Sequence, residues 1–262
     1  MSRKVVEGIV VAVAVAAVGS TLSASAAAKG NGPCQPSTNL AKLRCPDLQV
    51  AKPSDMYISR TPAGRVLLRA TNDIQSRGRG PMELRGRRDR ERSMNVTQAI
   101  YRRNGKGPVL YPTQARLRFF NVGDYWGGTY WKVAHPLQFE LWRIGNRGKK
   151  RKLVRTGPKQ FYCFRDLERT GPSPNSPSEA VYPACNQNPK VNEVTLGTST
   201  GWSDIYPSSY DKQWINVTGL RGCFAYVLRV DPFDSLFESE KKNNVSQRKI
   251  RLPWRGYAHR GC

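Results

Sequence analysis

Short apolar runs recur along the chain after about residue 46, each four to eight residues long and bounded by Gly, Pro, Asn or Ser. This pattern is typical of β-strands. No window of a dozen residues keeps an apolar stripe at the helical period. The pattern therefore predicts an all-β protein, a single β-sandwich-like domain with long loops. The predicted strands cover residues 47–50, 66–70, 117–120, 137–144, 160–164, 213–217, 224–230 and 245–252.

The connections between these runs are of two kinds. Asn104 with Gly105, and the segment 145–148, carry the Asn and Gly residues that favour hairpin turns. Two polar stretches, 77–92 and 165–192, are long for loops inside a compact domain, and loops of that length are usually functional or irregular. We therefore predict that both stretches lie outside the sheets.

The first 28 residues have the composition of a secretory signal. A basic start at Arg3 and Lys4 precedes an unbroken apolar stretch over residues 9–18, and small residues follow at 24–28. That apolar stretch is too short to span a bilayer as a helix, and no later segment is apolar enough to do so. We therefore predict a signal peptide at 1–28, no transmembrane segment and an extracellular protein.

All six cysteines lie beyond that segment. An even number of cysteines in an exported chain indicates disulfides, and six cysteines permit fifteen connectivities. Pairing neighbours along the sequence is the simplest choice. It predicts the disulfides Cys34–Cys45, Cys163–Cys185 and Cys223–Cys262.

From residue 157 onward the motifs follow a specific order. Residues 157–166 read GPKQFYCFRD, residues 197–206 read GTSTGWSDIY and residues 213–217 read QWINV, while 238–239 read ES and 243–245 read NNV. This ordered series resembles the catalytic domain of the lysyl oxidase family, whose bacterial members are exported in the same way.

The resemblance extends more weakly into the first half of the chain, where residues 65–69 and 80–85 are the recognisable pieces. It predicts one lysyl-oxidase-like domain over residues 47–252. A loop segment at 29–46 would precede this domain, and a C-terminal tail at 253–262 would follow it.

The resemblance implies a copper-dependent oxidation of primary amines to aldehydes, with O₂ as the acceptor. Family members make their own quinone cofactor, lysine tyrosylquinone, by linking a lysine to an oxidised tyrosine. By position, Lys159 matches that lysine and Tyr206 matches that tyrosine, so both are the candidate catalytic and cofactor-forming residues. The alternative for this pair is a retained scaffold, with a lysine lying along a strand and a buried tyrosine whose hydroxyl is satisfied. Asp204 is a candidate base for removing the substrate's α proton, and a turn-capping aspartate is the favoured alternative.

The copper ligands depart from the family pattern. In the family, copper is held by His-x-His-x-His on a strand, where alternate residues face the same side. Here Gly128, Tyr130 and Lys132 stand at those positions, and the only histidines of the chain are His135 and His259. Two histidines cannot supply three imidazoles, and Lys132 would bring a positive charge beside the metal. We therefore predict no metal ligands, no copper and no quinone, and an impaired oxidation of amine substrates.

Basic residues give the chain a second possible role. Its 43 Lys and Arg exceed 19 Asp and Glu, for a formal net charge of +24. Seven arginines lie within 77–92, and a second basic run covers 149–152. Such runs attract polyanions, although they also keep an exported protein soluble. Because no nucleic-acid-binding signature accompanies them, the alternative function is a non-catalytic module that binds an anionic cell-envelope polymer.

Overall fold

Antiparallel strands make up most of the fold. The computed structural model describes residues 32–35, 37–122, 128–145, 148–171, 173, 175–257 and 262, so the predicted signal peptide lies outside the described residues. One short helix, α1 (Ser37–Leu40), is found within these residues, where no helix has the length and apolar character needed to cross a membrane. The strands are β1 (Leu43–Arg44), β2 (Leu48–Val50), β3 (Ser54–Arg60), β4 (Val66–Ser76), β5 (Met82–Arg90), β6 (Ser93–Arg102), β7 (Pro108–Val122), β8 (Gly128–Ala134), β9 (Leu137–Ile144), β10 (Lys150–Thr156), β11 (Phe161–Tyr162), β12 (Glu168–Arg169), β13 (Glu193–Thr198), β14 (Trp202–Tyr206), β15 (Trp214–Asn216), β16 (Gly222–Val230) and β17 (Val245–Leu252).

These strands form three antiparallel sheets. The first has the order β11-β8-β7-β6-β5-β13, with β1 paired to β6. The second has the order β10-β9-β16-β17, and the third has the order β12-β14-β4-β15 with β2 and β3 also paired to β4. The prediction of an all-β fold is confirmed.

A row of apolar side chains crosses the first sheet and carries its packing. Met94, Leu117, Val133 and Tyr162 are neighbours in register on β6, β7, β8 and β11, and each is at most 1% exposed. Burying a side chain of this size stabilises the fold by about 1.5–3 kcal/mol. The row ends at Tyr162, which is part of the candidate site described below.

One cluster of buried side chains joins all three sheets, with members such as Leu117 of β7, Phe139 of β9 and Leu68 of β4. Tyr206, the last residue of β14, belongs to the same cluster. Its ring meets the ring of Tyr162 edge-on, with the centroids 4.8 Å apart. The site therefore lies where the first and third sheets meet.

All three predicted disulfides are present: Cys34–Cys45, Cys163–Cys185 and Cys223–Cys262. A crosslink of this kind restricts the unfolded chain, and each contributes on the order of 2–4 kcal/mol. The second disulfide is the one nearest the site, because Cys163 directly follows β11.

The sequence predictions of individual strands are confirmed in part. Two predicted strands, β9 and β17, have the predicted bounds, and both predicted turns connect hairpins. Gly105 lies between β6 and β7 with a φ of 77°, and the amide of Gly145 donates to Lys149 O at 2.9 Å between β9 and β10. Residues 146 and 147 of that second turn lie outside the described residues.

Other predictions are wrong. The polar stretch 77–92 is not a loop, because β5 occupies most of it and pairs with β6 on one side and β13 on the other. Its arginines did not prevent strand formation because Met82 and Leu84 are fully buried while Arg87 is exposed. The segment 29–46 contains α1 and β1, so it is not purely a loop. In the stretch 165–192, the described residues contain no strand other than β12.

Candidate functional site

A cavity of about 150 Å³ lies beside the junction of the first and third sheets. It is lined by side chains from β8, from the segments flanking β11, and from β14 and the segment after it. The lining residues that carry chemistry are Tyr130, Lys132, Lys159, Arg165, Tyr206 and Tyr210. Both predicted site residues, Lys159 and Tyr206, thus face one cavity.

Tyr206 is held at the end of β14, where it pairs in register with Asn72 of β4. Its hydroxyl donates to Cys163 O at 3.0 Å and accepts from the Cys163 amide at 2.7 Å. Two bonds to one residue fix the phenol, whose pKa is raised well above the usual range because the ring is buried. The Tyr206 side chain as a phenol is therefore protonated at neutral pH.

Lys159 lies in the connection between β10 and β11. Gly157, two residues earlier, donates its amide to Phe139 O at 2.9 Å, and a Cβ at Gly157 would lie 2.6 Å from the Phe139 ring. Only glycine allows this approach, which holds the connection against β9. Lys159 Nζ then lies 4.6 Å from the ring centroid of Tyr206 and 5.1 Å from that of Tyr162.

The amine of Lys159 is easier to deprotonate than that of an exposed lysine. Burial, reinforced by the nearby Lys132 ammonium, lowers the pKa of Lys159 to about 8. The charges of Asp204 and Asp211 oppose this shift, but neither carboxylate forms an ion pair with Lys159 within 4.0 Å in the described part of the chain. Cation–π contacts with two tyrosine rings hold the group in place.

Asp204 precedes Tyr206 by two residues, in the middle of β14 and opposite Ile74. The favoured interpretation of Asp204 as a turn-capping residue is wrong, because its backbone belongs to a strand and its side chain is 0% exposed. Neither carboxyl oxygen has a hydrogen-bond partner among the described residues. Burial raises the pKa of Asp204 well above its usual range, because it penalises the charged carboxylate.

Tyr130 and Lys132 are alternate residues of β8, the strand expected to carry the copper ligands. Trp131, between them, is fully buried on the opposite face, and its Nε1 donates to Asn188 O at 3.0 Å. Lys132 Nζ lies 5.2 Å from the ring centroid of Phe120 and 5.5 Å from that of Tyr130. Burial, followed by the Lys212 ammonium, lowers the pKa of Lys132 to about 8.

The side chains at this site do not fit a copper centre of three imidazoles. No group of three or more His, Cys, Asp or Glu residues is arranged for a metal within the described part of the chain. His135 packs against Phe161 and Phe233, with ring centroids 6.1 and 5.5 Å away, and His259 lies outside the described residues. An ammonium and a phenol stand where two imidazoles are required, which is the wrong donor set for this metal.

The first basic run is partly structural. The guanidinium of Arg88 donates to the carbonyl of Val191 at 3.0 Å and lies 5.3 Å from the ring centroid of Trp131. Arg85 pairs with Glu83 at 2.7 Å. The exposed members of the two basic runs, among the described residues, are Arg79, Arg87, Arg90, Arg92, Lys149, Lys150 and Lys152.

Sequence reasoning missed three residues of the cavity wall, Arg165, Tyr210 and Asp211, and saw Lys132 only as a lost ligand. Arg165 follows Cys163 by two residues, so the conspicuous motif around that cysteine contained a signal for it. Tyr210 lies in the turn after β14, where no pattern distinguishes it.

Comparison with known proteins agrees with the motif order. The family model described as lysyl oxidase matches residues 140–262, a region that contains Lys159 and Tyr206 but not β8. No curated protein matches the chain. This match supports membership of the lysyl oxidase family for the region 140–262.

Proposed function

We propose that this chain is an extracellular lysyl-oxidase-like protein in which the copper-dependent oxidation of primary amines is impaired. The observation that carries the proposal is the presence of Tyr130 and Lys132 on β8, with Lys132 in the same cavity as Lys159 and Tyr206. In the family, the quinone formed from the lysine–tyrosine pair supplies the oxidising group for an amine. Here the pair remains a free amine and a phenol.

Electrostatics supports the loss of metal binding. With a pKa of about 8, Lys132 is mostly an ammonium at pH 7 and repels a divalent cation. Releasing its proton costs about 1.4 kcal/mol for each pH unit below the pKa. This release would still yield a single nitrogen donor where the family uses three imidazoles.

An extracellular location is supported by the three disulfides, which persist in oxidising compartments. The secretory character of residues 1–28 agrees with this location.

The test is to purify the exported protein, add Cu²⁺, and measure bound copper, quinone staining and peroxide release from butylamine. We expect copper well below one ion per chain, no quinone and no peroxide. The matched comparison is the triple variant Gly128→His, Tyr130→His, Lys132→His, which restores the three-imidazole pattern and is expected to gain copper and quinone. Adding Lys159→Met to the triple variant should remove the quinone but keep the copper. Quinone or amine-dependent peroxide in the wild type would overturn the proposal.

Binding of an anionic polymer is a second proposal. It is supported by the exposure of Arg87 and Arg90 on β5 and of Lys150 and Lys152 on β10. Within the described part of the chain, none of these four residues forms an ion pair. Exposed cations of this kind are available to a polyanion, whereas Arg88 is already bonded to backbone carbonyls.

The affinity for polyphosphate, measured against salt concentration, tests this second role. We expect affinity at low salt that falls linearly on a log–log plot, with a slope that counts ionic contacts. Arg87→Gln with Arg90→Gln should make that slope shallower, and Lys106→Gln, a change in the β6–β7 turn, should not. Affinity that is absent at low salt or constant with salt would contradict the proposal.

A further inference from the structure

The cavity carries more positive than negative charge. Lys132, Lys159 and Arg165 line it. None of the three forms an ion pair with a carboxylate of the described residues. Asp211 is the acidic residue that lines the cavity, and it is exposed to solvent. The other nearby acid, Asp204, is fully buried, and burial raises its pKa well above the usual range. Such a site repels the ammonium of an amine substrate and attracts a small anion.

The volume limits the size of the ligand. A cavity of about 150 Å³ is close to that of engineered cavities that take up benzene, a molecule of six carbon atoms. A three- or four-carbon acid therefore fits within it.

Lys132 gives this cavity a reactive group. An amine with a pKa of about 8 is roughly 10% neutral at pH 7, against less than about 0.1% for an exposed lysine. A neutral, desolvated lysine amine next to other cations is the arrangement that favours attack on a carbonyl carbon. Lys159 has the same pKa but lies nearer to its aromatic rings, at 4.6 and 5.1 Å, than Lys132 does to its own, at 5.2 and 5.5 Å.

We propose that the cavity binds a small oxo acid, with its carboxylate on Arg165 and its carbonyl carbon linked to Lys132 Nζ as a Schiff base. In this step the neutral amine adds to the carbonyl carbon. The carbonyl oxygen leaves with both N–H hydrogens as one water, and a C=N bond remains. No oxidant is consumed. The proposal rests on the proposed function, because a quinone formed from Lys159 and Tyr206 would occupy the same cavity.

Trapping with pyruvate and cyanoborohydride at neutral pH, followed by peptide mapping, tests the proposal. Hydride reduces the C=N bond, so the labelled peptide gains the mass of pyruvic acid less one oxygen atom. We expect Lys132 to be labelled at least tenfold faster than the exposed Lys152. Acetone has a carbonyl group but no carboxylate. With acetone, we expect most of the preference for Lys132 over Lys152 to be lost. Arg165→Gln should reduce pyruvate labelling of Lys132 about tenfold.

Two variants separate this proposal from the previous one. Lys132→Met should abolish the preferred label, and its thermal midpoint shows whether it is folded. Lys159→Met cannot form the lysine–tyrosine quinone, so labelling of Lys132 in this variant reports carbonyl binding whatever the outcome of the oxidase test. Three results would overturn the proposal. The label could be found on Lys159 alone, it could be shared equally with exposed lysines, or pyruvate and acetone could label Lys132 equally well.

Discussion

Replacing Lys132 by methionine measures the cost of its buried ammonium. Lys132 is 8% exposed, and burial lowers its pKa from 10.5 to about 8. Because the native pKa is lowered, the unfolded chain binds more protons between these two values. The stability of the wild type therefore rises with pH across this window, and the contribution is lost as pH falls through about 8.

The magnitude follows from the same two values. At about 1.4 kcal/mol per pKa unit, the shift corresponds to ~3 kcal/mol of native-state destabilisation at neutral pH. The contacts of the ammonium with Phe120 and Tyr130 offset about 1 kcal/mol of this cost. Methionine has similar length and no charge, so we expect Lys132→Met to be more stable than the wild type by ~2 kcal/mol at about pH 6.5.

Urea unfolding near pH 6.5 and pH 10.5 is the assay. The difference in the free energy of unfolding between variant and wild type should shrink to within about 0.5 kcal/mol at the higher pH, where Lys132 of the native protein is neutral. Lys159, Lys212, Asp211 and Asp204 also face or surround this group. Loss of the Lys132 charge raises the pKa of Lys159, which adds to the stability gain of the variant at the lower pH. Lys152→Met, on the exposed side of β10, is the control and should change little at either pH.

A Lys132→Met protein that is less stable than the wild type near pH 6.5, with an unchanged urea dependence, would refute this reasoning. So would a stability gain that does not depend on pH. Either result would mean that the ammonium is satisfied where it lies, and the high reactivity proposed for Lys132 would lose its physical basis.

Three further substitutions test separate parts of the site and fold. Tyr206→Phe removes both hydroxyl bonds to Cys163 and should cost about 1–3 kcal/mol, measured by urea unfolding at pH 7. Gly157→Ala places a methyl group 2.6 Å from the Phe139 ring and should cost about 1–3 kcal/mol, seen as a lower thermal midpoint. Burial raises the pKa of Glu238 from 4.5 to about 8, so the wild type should lose stability as pH rises through this range. Glu238→Gln should remove about 1 kcal/mol or more of that loss, measured as a smaller change in the urea midpoint between about pH 5 and pH 8.

Strands with a dense apolar pattern could be predicted from the sequence. β9 and β17 match their predicted bounds because turn-forming residues flank continuous apolar positions. β5 was missed because its inward side includes Gly86, whose hydrogen leaves room for Leu117, so the apolar alternation is interrupted among arginines. Pairing with β6 and β13 makes this segment a strand, and such long-range pairing has no local signal.

The site could be predicted only as far as residue types and motif order allow. The family resemblance indicated Lys159 and Tyr206, but their 4.6 Å approach depends on β14 pairing with β4 and on Gly157 packing against Phe139. The arrival of Lys132 in the same cavity depends on β8 pairing with β11, where Ala134 lies opposite Phe161. Tertiary contacts of this kind are not encoded in the spacing of any one motif.

Lys132 bears both on the loss of copper binding and on the amine reactivity proposed for the cavity. A lysine at a ligand position opposes a metal ion because it places a second positive charge beside the metal. The same charge, through space, lowers the pKa of Lys159 and so increases its neutral fraction. A lysine in place of a copper ligand therefore leaves two amines of lowered pKa, Lys132 and Lys159, beside one cavity. Without a metal, the chemistry open to a neutral amine is addition to a carbonyl carbon.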